Sequence, residues 1–304
     1  MTLTDGLKSR NPKPRLPGRR GFYPAIEPYL FLLPAFVVFG LFLFYPFVRT
    51  IYLSTYLTDK LGNAKVFWSL RNYTDLFASS SFWASVLVTF QFVAIVAFGG
   101  LLIGLITSLL TAKKYPGVTF ASAAYAMPVA IASAAASMAF RMILHPTNGL
   151  LNILFGTQIN WTGDPGWALF SVSMLTIWLA SGINFIFISA GLRGVPDELY
   201  ESAAIDGANY WQKLWRITLP SISPTLFFQI IINIISAFQS FSQIRLLTQG
   251  GPGDASNVIV YAIYRDAFFN FRFGTAAARS IILFVIVLVI TLIQFSFEKR
   301  SVHY

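Results

Sequence analysis

The sequence predicts an all-α integral membrane protein with about six transmembrane helices. Of the 304 residues, 56% are hydrophobic and only 11% are charged, whereas a soluble domain carries roughly a quarter of its residues as charges. The mean hydropathy is +0.64. The charge-poor stretches reach about 20 residues or more, which is the length that a helix needs to cross a bilayer about 30 Å thick.

The predicted spans are these charge-poor stretches, and Tyr and Trp residues lie near many of their ends, as anchoring at the membrane interface predicts. They run approximately over Tyr29–Tyr52, Trp83–Thr111, Val118–Leu144, Trp167–Leu192, Ser221–Leu247 and Ser280–Phe297. The third span is rich in Ala and Ser, which favours close helix packing, and Pro128 is expected to kink it. No carboxylate lies deep in any span, which argues against the proton relay of a secondary transporter.

Basic residues predict the orientation and the limits of the domains. The net charge is +10, and six Lys and Arg residues precede the first span: Lys8, Arg10, Lys13, Arg15, Arg19 and Arg20. Cytoplasmic loops are enriched in Lys and Arg, so both termini are predicted to be cytoplasmic. Basic residues in cytoplasmic loops account for the positive net charge, so no nucleic-acid partner is expected. We divide the chain into a basic segment (1–27), the first helix with an outer loop (28–82), a five-helix core (83–299) and a tail (300–304).

Several kinds of site are excluded by composition. Cysteine is absent, and the two histidines, His145 and His303, are far apart in the sequence, so no disulfide or metal site is expected. No Gly-x4-Gly-Lys-Ser/Thr loop occurs, so the chain is not expected to bind ATP in that way. A membrane-embedded enzyme would need a convergent acid, base or nucleophile, and no such set is found.

The segment from Val195 to Pro220, between the fourth and fifth spans, predicts a helix-turn-helix. Pro196 suits a first helical position, and the carboxylates of Asp197 and Glu198 follow at the positive end of the helix dipole. Gly207 suits a left-handed cap at the end of that helix. The next helix is predicted to have an apolar face, because three large apolar residues recur at helical spacing: Trp211, Leu214 and Trp215.

The first helix of this segment has the composition of a docking surface. Ala203 and Ala204 offer little bulk beside the carboxylates of Glu201 and Asp206, which favours close insertion into a groove on a cytoplasmic partner. The alternative is an amphipathic helix resting on lipid headgroups, although anionic lipid would repel its acidic residues.

The same segment resembles the EAA loop, E-A-A-x3-G-x9-I-x-L-P, of permease subunits in binding-protein-dependent ATP-binding-cassette (ABC) importers. The matching residues are Glu201, Ala203, Ala204, Gly207, Ile217, Leu219 and Pro220, and Ser202 replaces the first Ala of the motif. The resemblance implies the type I ABC importer permease fold, with 193–220 as the loop whose coupling helix fits a cleft on the ATPase. Asp206 belongs to this predicted coupling site.

The resemblance also implies partners and a location. These are a second homologous permease in a heterodimer, two ATPase subunits that bind ATP and Mg, an extracytoplasmic solute-binding protein, and membrane lipid in a bacterial or archaeal inner membrane. The chain itself is expected to be non-catalytic and to bind no cofactor.

Further segments look most similar to the carbohydrate and glycerol-3-phosphate branch, and they are Met127–Pro128, His145–Asn152, Thr248–Gly253, Tyr264–Phe268 and Gly274–Ala278. A passive channel is a second alternative, but a channel without an ATPase would have no use for a coupling loop.

Polar residues recur along the fifth predicted span at intervals that place them on one helix face. They are Gln229, Asn233, Ser236, Ser240 and Gln243, with Asn184 of the fourth span and Gln91 of the second as weaker candidates. Polar groups in hydrocarbon face a cavity or a neighbouring helix. We therefore predict that this face lines the solute pathway, the alternative being hydrogen-bonded contact with another helix or the partner permease. Arg245 and Arg279, near span ends, are expected to snorkel to the interface or to attract an anionic solute.

Overall fold

A computed structural model of the protein describes residues 27–113 and 115–301. The predicted basic leader lies outside these residues, as does the end of the predicted tail. Within the described part, four helices are long and apolar enough to cross a membrane, and up to six spans result if each of two bent helix pairs counts as one. The four are Pro28–Ser54, Ser80–Thr111, Pro165–Arg193 and Phe273–Ser296.

The chain divides into two compact units between Arg49 and Thr50. The first described helical run consists of α1 (Glu27–Phe39), a π-helical turn (Gly40–Phe44) and α2 (Tyr45–Ser54). The boundary falls inside α2, so the second unit contains the end of this helix and everything that follows it. Residues 50–82, which the sequence groups with the first helix, lie in the second unit.

A short β-hairpin follows α2, where the sequence predicts only an outer loop. Its strands, β1 (Tyr56–Thr58) and β2 (Ala64–Phe67), pair antiparallel. Asp59 holds the turn, because its Oδ1 accepts hydrogen bonds from the backbone N–H groups of Asn63 at 2.8 Å and Leu61 at 3.0 Å. The Asn63 hydrogen bond is the main reason that the pKa of Asp59 falls to about 2.

The core of the second unit is built around two long helices that pack closely, α4 (Ser80–Thr111) and α8 (Pro165–Arg193). Glycines on α4 permit this approach, because a Cβ added at Gly104 would overlap the Cβ of Asn184. A helix preceding α4, α3 (Arg71–Ala78), and the last helix, α15 (Phe273–Ser301), complete this part of the fold. The sixth span thus begins earlier than the predicted Ser280.

The third predicted span is broken rather than kinked. It comprises α5 (Val118–Ala126), a 3-10 turn (Met127–Ala130) and α6 (Ser133–Ile143), and the two arms bend by 107°. Pro128 lies inside the 3-10 turn, and the break follows at Ile131 and Ala132, which adopt extended backbone conformations. The turn packs against α8 at Gly182, where an added Cβ would lie 2.9 Å from Val129 Cγ2.

The fifth span is displaced from its predicted limits of Ser221 to Leu247. Its arms are Tyr210–Ser221 and Ser223–Phe238, which meet at an angle of 66°. The remaining helical elements are α7 (Leu150–Phe155), α9 (Asp197–Ile205), α10 (Tyr210–Lys213), a π turn (Leu214–Thr218), α11 (Leu219–Ser221), α12 (Ser223–Phe238), α13 (Ser242–Leu247), α14 (Ile259–Tyr264) and a π turn (Arg265–Phe269).

The end of α12 at Phe238 has a packing reason. Phe238 and Ile244 are 1% and 0% exposed and belong to the same hydrophobic core. On one continuous helix, residues six apart would point about 120° away from each other. The interruption between α12 and α13 lets both side chains enter the same core.

Candidate coupling segment and polar residues

The coupling segment, residues 193–220, begins with the helix that the sequence predicts. Asp197 and Glu198 lie in the first turn of α9, and Pro196 is the N-cap rather than the first helical residue. Gly207 has φ +76°, which confirms the predicted left-handed cap. The N–H of Gly207 donates to the Ala204 carbonyl at 3.1 Å and that of Ala208 to the Ala203 carbonyl at 2.9 Å. This is the Schellman arrangement, in which two terminal carbonyls of the helix are satisfied.

The second helix of the segment starts at a capping box. Asn209 Oδ1 accepts from the Gln212 N–H at 2.9 Å, and Gln212 Oε1 accepts from the Asn209 N–H at 2.8 Å. The Asn-x-x-Gln spacing is the signal in the sequence that predicts this capping box. Trp211 and Trp215 are exposed, whereas Leu214 is buried. The two tryptophans therefore form the exposed part of the predicted apolar face, while other residues cover Leu214.

The motif residues divide into an exposed group and an anchoring group. The exposed residues on and after α9 are Glu201, Ser202, Ala204, Asp206 and Gly207, with Ala203 half-buried. Ile217 and Leu219 instead pack against the buried side chains of Ile188 and Ile222. Pro220 is exposed beside them. The segment thus presents small and acidic side chains outward while its apolar end attaches to the membrane helices.

A hydrogen bond links the two halves of the segment. The Tyr200 hydroxyl on α9 lies 3.0 Å from Thr218 Oγ1 in the π turn. A concavity of about 350 Å³ lies between residues of the two halves and is lined by Asp206, Gly207 and Arg216 among others. Among the described residues neither Glu201 nor Asp206 makes an ion pair. Both carboxylates are therefore available to a partner. Tyr200 has no signal in the sequence that marks this role.

The structure brings together three of the predicted pathway residues as contacts between helices. The side-chain amides of Asn184 and Asn233 donate to each other at 3.1 Å and 3.0 Å. Asn233 also donates to the Ala97 carbonyl at 3.3 Å, which joins α4, α8 and α12. Gln229 is 0% exposed and donates to the Ile183 carbonyl at 3.3 Å. Within one chain these amides serve the alternative role, a hydrogen-bonded helix contact.

The other predicted pathway residues lie apart from this cluster. Ser236 is exposed, and the buried Ser240 donates to its carbonyl at 3.2 Å after α12 has ended. Gln243 lies on α13, a separate helix. The prediction of one polar helix face from Gln229 to Gln243 is therefore wrong, because the helix stops at Phe238.

Arg279 does not snorkel to the interface. Its side chain is 8% exposed, and its Nη2 lies 3.0 Å from Asp266 Oδ2. Its Nη1 also donates to Ser85 Oγ at 3.3 Å. Asp266, in the π turn after α14, supplies the negative charge of this ion pair. It lies outside the spans that the sequence predicts. Arg245 is exposed, with its guanidinium 4.7 Å from the centre of the Tyr264 ring.

Comparison with known proteins decides the family. Residues 26–303 match the family described as the inner membrane component of binding-protein-dependent transport systems. The chain belongs to this family. It is a multi-pass permease subunit, which sets aside the alternatives of a membrane-embedded enzyme and a passive channel.

Relatives of this permease have similar lengths. It is 34% identical over 283 residues to the sn-glycerol-3-phosphate transport system permease protein UgpA of Agrobacterium fabrum, covering 92% of this chain and 97% of that protein. It is 32% identical to the UgpA proteins of Salmonella typhimurium and Yersinia pestis, covering 91% and 95% of this chain and 95% and 99% of theirs.

Solved structures confirm the predicted importer permease fold. A chain of a bacterial ABC transporter that imports the acidic polysaccharide alginate has a TM-score of 0.80 at 24% identity, covering 92% of this permease and 99% of that chain. The alginate transporter in complex with an alginate pentasaccharide-bound periplasmic protein gives a TM-score of 0.79 at 24% identity, with coverages of 92% and 97%.

Proposed function

We propose that this permease forms half of the transmembrane pathway of an ATP-driven importer for a glycerol-phosphate or sugar-type solute. The observation that carries this proposal is the coupling segment, because it presents exposed small and acidic residues while its apolar end packs against the membrane helices. A second homologous permease completes the pathway as a heterodimer. Two ATPase subunits bind ATP and Mg, and an extracytoplasmic binding protein delivers the solute.

The solute class is supported by the relatives and by the structural neighbours. The relatives named above are permeases of sn-glycerol-3-phosphate transport systems. The neighbour of highest TM-score given above imports an acidic polysaccharide. Both solutes are hydroxylated anions, so an anionic, carbohydrate-like solute fits this chain, with sn-glycerol 3-phosphate as the first candidate.

The coupling role is assigned to the exposed group of the motif. ATPase closure moves α9, and the Tyr200–Thr218 hydrogen bond and the packing of Ile217 transmit this movement to α12. The proposed orientation places both termini and the coupling segment in the cytoplasm, in agreement with the positive-inside rule. The permease contributes no catalytic residue, because ATP hydrolysis takes place on the partner subunits.

The test is solute-stimulated ATP hydrolysis by the reconstituted transporter with its binding protein. We expect stimulation by sn-glycerol 3-phosphate, little stimulation by neutral sugars, and at least about tenfold lower stimulation in Glu201→Lys, since a reversed charge at a docking surface costs several kcal/mol. The matched control is Glu198→Lys, which reverses an exposed acid on the same helix outside the motif. Stimulation by neutral sugars alone would overturn the solute assignment. Equal losses in both variants, with assembly intact, would overturn the coupling role of Glu201.

A further inference from the structure

A cavity of about 720 Å³ lies where the ends of α4 and α8 meet the coupling segment. The ends of the two membrane helices contribute Thr111 and Ser189 to its wall, and the coupling segment contributes Thr218. The cavity therefore lies at the end of the spans where lipid headgroups are found, on the face that carries the coupling segment.

Three cations line this cavity and share it with one acid. They are Lys113 after α4, Arg193 at the end of α8 and Lys213 of α10, and the acid is Asp197. In the part of the chain that the structure describes, none of the three makes an ion pair or a side-chain hydrogen bond, and Lys113 lies 5.4 Å from the centre of the Tyr210 ring. Like charges in one cavity repel each other, and an anion among them removes that repulsion.

Helix dipoles explain only part of this placement. The carboxyl ends of α4 and α8 attract cations, which accounts for a basic residue near each one. Lys213 follows neither end, because it belongs to the coupling segment. The ammonium and guanidinium N–H groups also remain unused by the described carbonyls, so donors for an anionic oxygen are available.

The wall of the cavity also contains hydroxyl groups and apolar side chains. Ser108 is 1% exposed, accepts from Ser189 Oγ at 3.1 Å and donates to the Phe185 carbonyl at 3.1 Å. Leu192 and Leu214 lie on the walls. A free phosphate would leave these walls uncovered, whereas the glycerol and first methylenes of a lipid would cover them.

We propose that this cavity binds the phosphate headgroup of an anionic membrane phospholipid, held by Lys113, Arg193 and Lys213. The bound lipid bridges two membrane helices and the coupling segment. None of the predicted pathway residues lines this cavity, and the proposed site does not depend on which solute is carried. Importer activity is therefore expected to require anionic lipid even when the solute and the ATPase are unchanged.

The experiment measures lipid retained by the purified, assembled transporter after delipidation, by native mass spectrometry with added phosphatidylglycerol or phosphatidylcholine. We expect wild type to retain phosphatidylglycerol preferentially. The Lys113→Gln, Arg193→Gln, Lys213→Gln triple variant is expected to lose about 100-fold in affinity, since each basic residue near anionic lipid contributes about fivefold. The matched control removes three exposed charges elsewhere, Lys60→Gln, Arg71→Gln and Arg272→Gln, and is expected to behave as wild type.

The outcomes separate lipid from soluble phosphate. Equal retention of phosphatidylglycerol by wild type and the triple variant would overturn the proposal, and so would equal losses in the triple variant and its control. Displacement of the lipid by millimolar inorganic phosphate would assign the same cations to a soluble anion and overturn the lipid assignment. Because binding is measured without transport, a failed coupling role for Glu201 leaves this test unaffected.

Discussion

Gly207 ends α9 in a backbone conformation that other residues adopt at a cost. Its φ is +76°, and an added Cβ would meet nothing within 4 Å. The backbone conformation alone therefore restricts this position, and a β-branched residue there is disfavoured by roughly 1–2 kcal/mol. Asn tolerates the left-handed region better than other residues.

We accordingly expect Gly207→Val to lower solute-stimulated ATP hydrolysis several-fold, while Gly207→Asn retains most of it. The measurement compares the two variants in reconstituted transporter at matched assembly. Equal activity of the two variants would show that the left-handed cap is not required.

The Asn184–Asn233 pair predicts non-additive stability. Replacing either Asn by Leu leaves the other amide without its partner, and interhelical hydrogen bonds in membranes are worth about 1 kcal/mol. We expect each single variant to lower the thermal stability of the solubilised transporter, and the double variant Asn184→Leu, Asn233→Leu to cost less than the sum. Additive losses would show that the two amides do not interact.

The Arg279–Asp266 ion pair predicts a larger effect. Removing one partner leaves a buried charge, which costs about 3–5 kcal/mol. Arg279→Leu is expected to reduce thermal stability and the yield of assembled transporter strongly, and Asp266→Asn in the same chain is expected to restore part of both. The exposed Arg272 provides the control, since Arg272→Leu is expected to change stability little. A milder effect of Arg279→Leu than of Arg272→Leu would contradict this role.

At the scale of elements, helix packing gives a further prediction. Gly104→Ala adds a methyl group that overlaps Asn184, so α4 and α8 must separate. We expect a loss of about 1–3 kcal/mol, as in other overpacked cores. In contrast, the methyl group of Gly40→Ala would meet nothing within 4 Å. Thermal unfolding of the two variants distinguishes them, and equal stabilities would contradict the close approach.

Local features of the elements were predictable, and features set by distant contacts were not. The bilayer determines the length of a span, so α4 and α8 are evident in the sequence. The cap at Gly207 depends on a few adjacent residues and was predicted correctly. The breaks at Ile131 and after Phe238 arise from packing against residues far along the chain. The same holds for Asn184, whose partner lies 49 positions away.

The candidate site shows the same difference between features set by adjacent residues and features set by distant contacts. The outward position of Glu201 and Asp206 agrees with the docking interpretation, which rests on residues adjacent in sequence. The polar face from Gln229 to Gln243 assumed an unbroken helix, and α12 is not long enough. Arg279 was misplaced because its partner, Asp266, belongs to a short turn that no apolar stretch marks.

At the scale of the whole molecule, the orientation can be tested with single cysteines, because the chain contains none. Leu61 in the hairpin turn and Ile205 at the end of α9 are 85% and 88% exposed. In cells with a permeabilised outer membrane and an intact inner membrane, a membrane-impermeant maleimide is expected to label Leu61→Cys and not Ile205→Cys. In inverted vesicles without ATPase the pattern is expected to reverse. Labelling of both from one side would contradict the proposed topology.

The joint at Ile222 has a mechanical consequence for the whole transporter. Ile222 is 1% exposed and separates the arm Tyr210–Ser221 from α12, and the two meet at 66°. Ile222 is hydrogen-bonded to both arms: its N–H donates to the Thr218 carbonyl at 3.1 Å, and its carbonyl accepts from the Leu226 N–H at 3.0 Å. The two arms thus meet at one buried residue that is hydrogen-bonded to both of them. If a partner subunit displaces the arm Tyr210–Ser221, we expect α12 to tilt, and the amides of Gln229 and Asn233 to move with it.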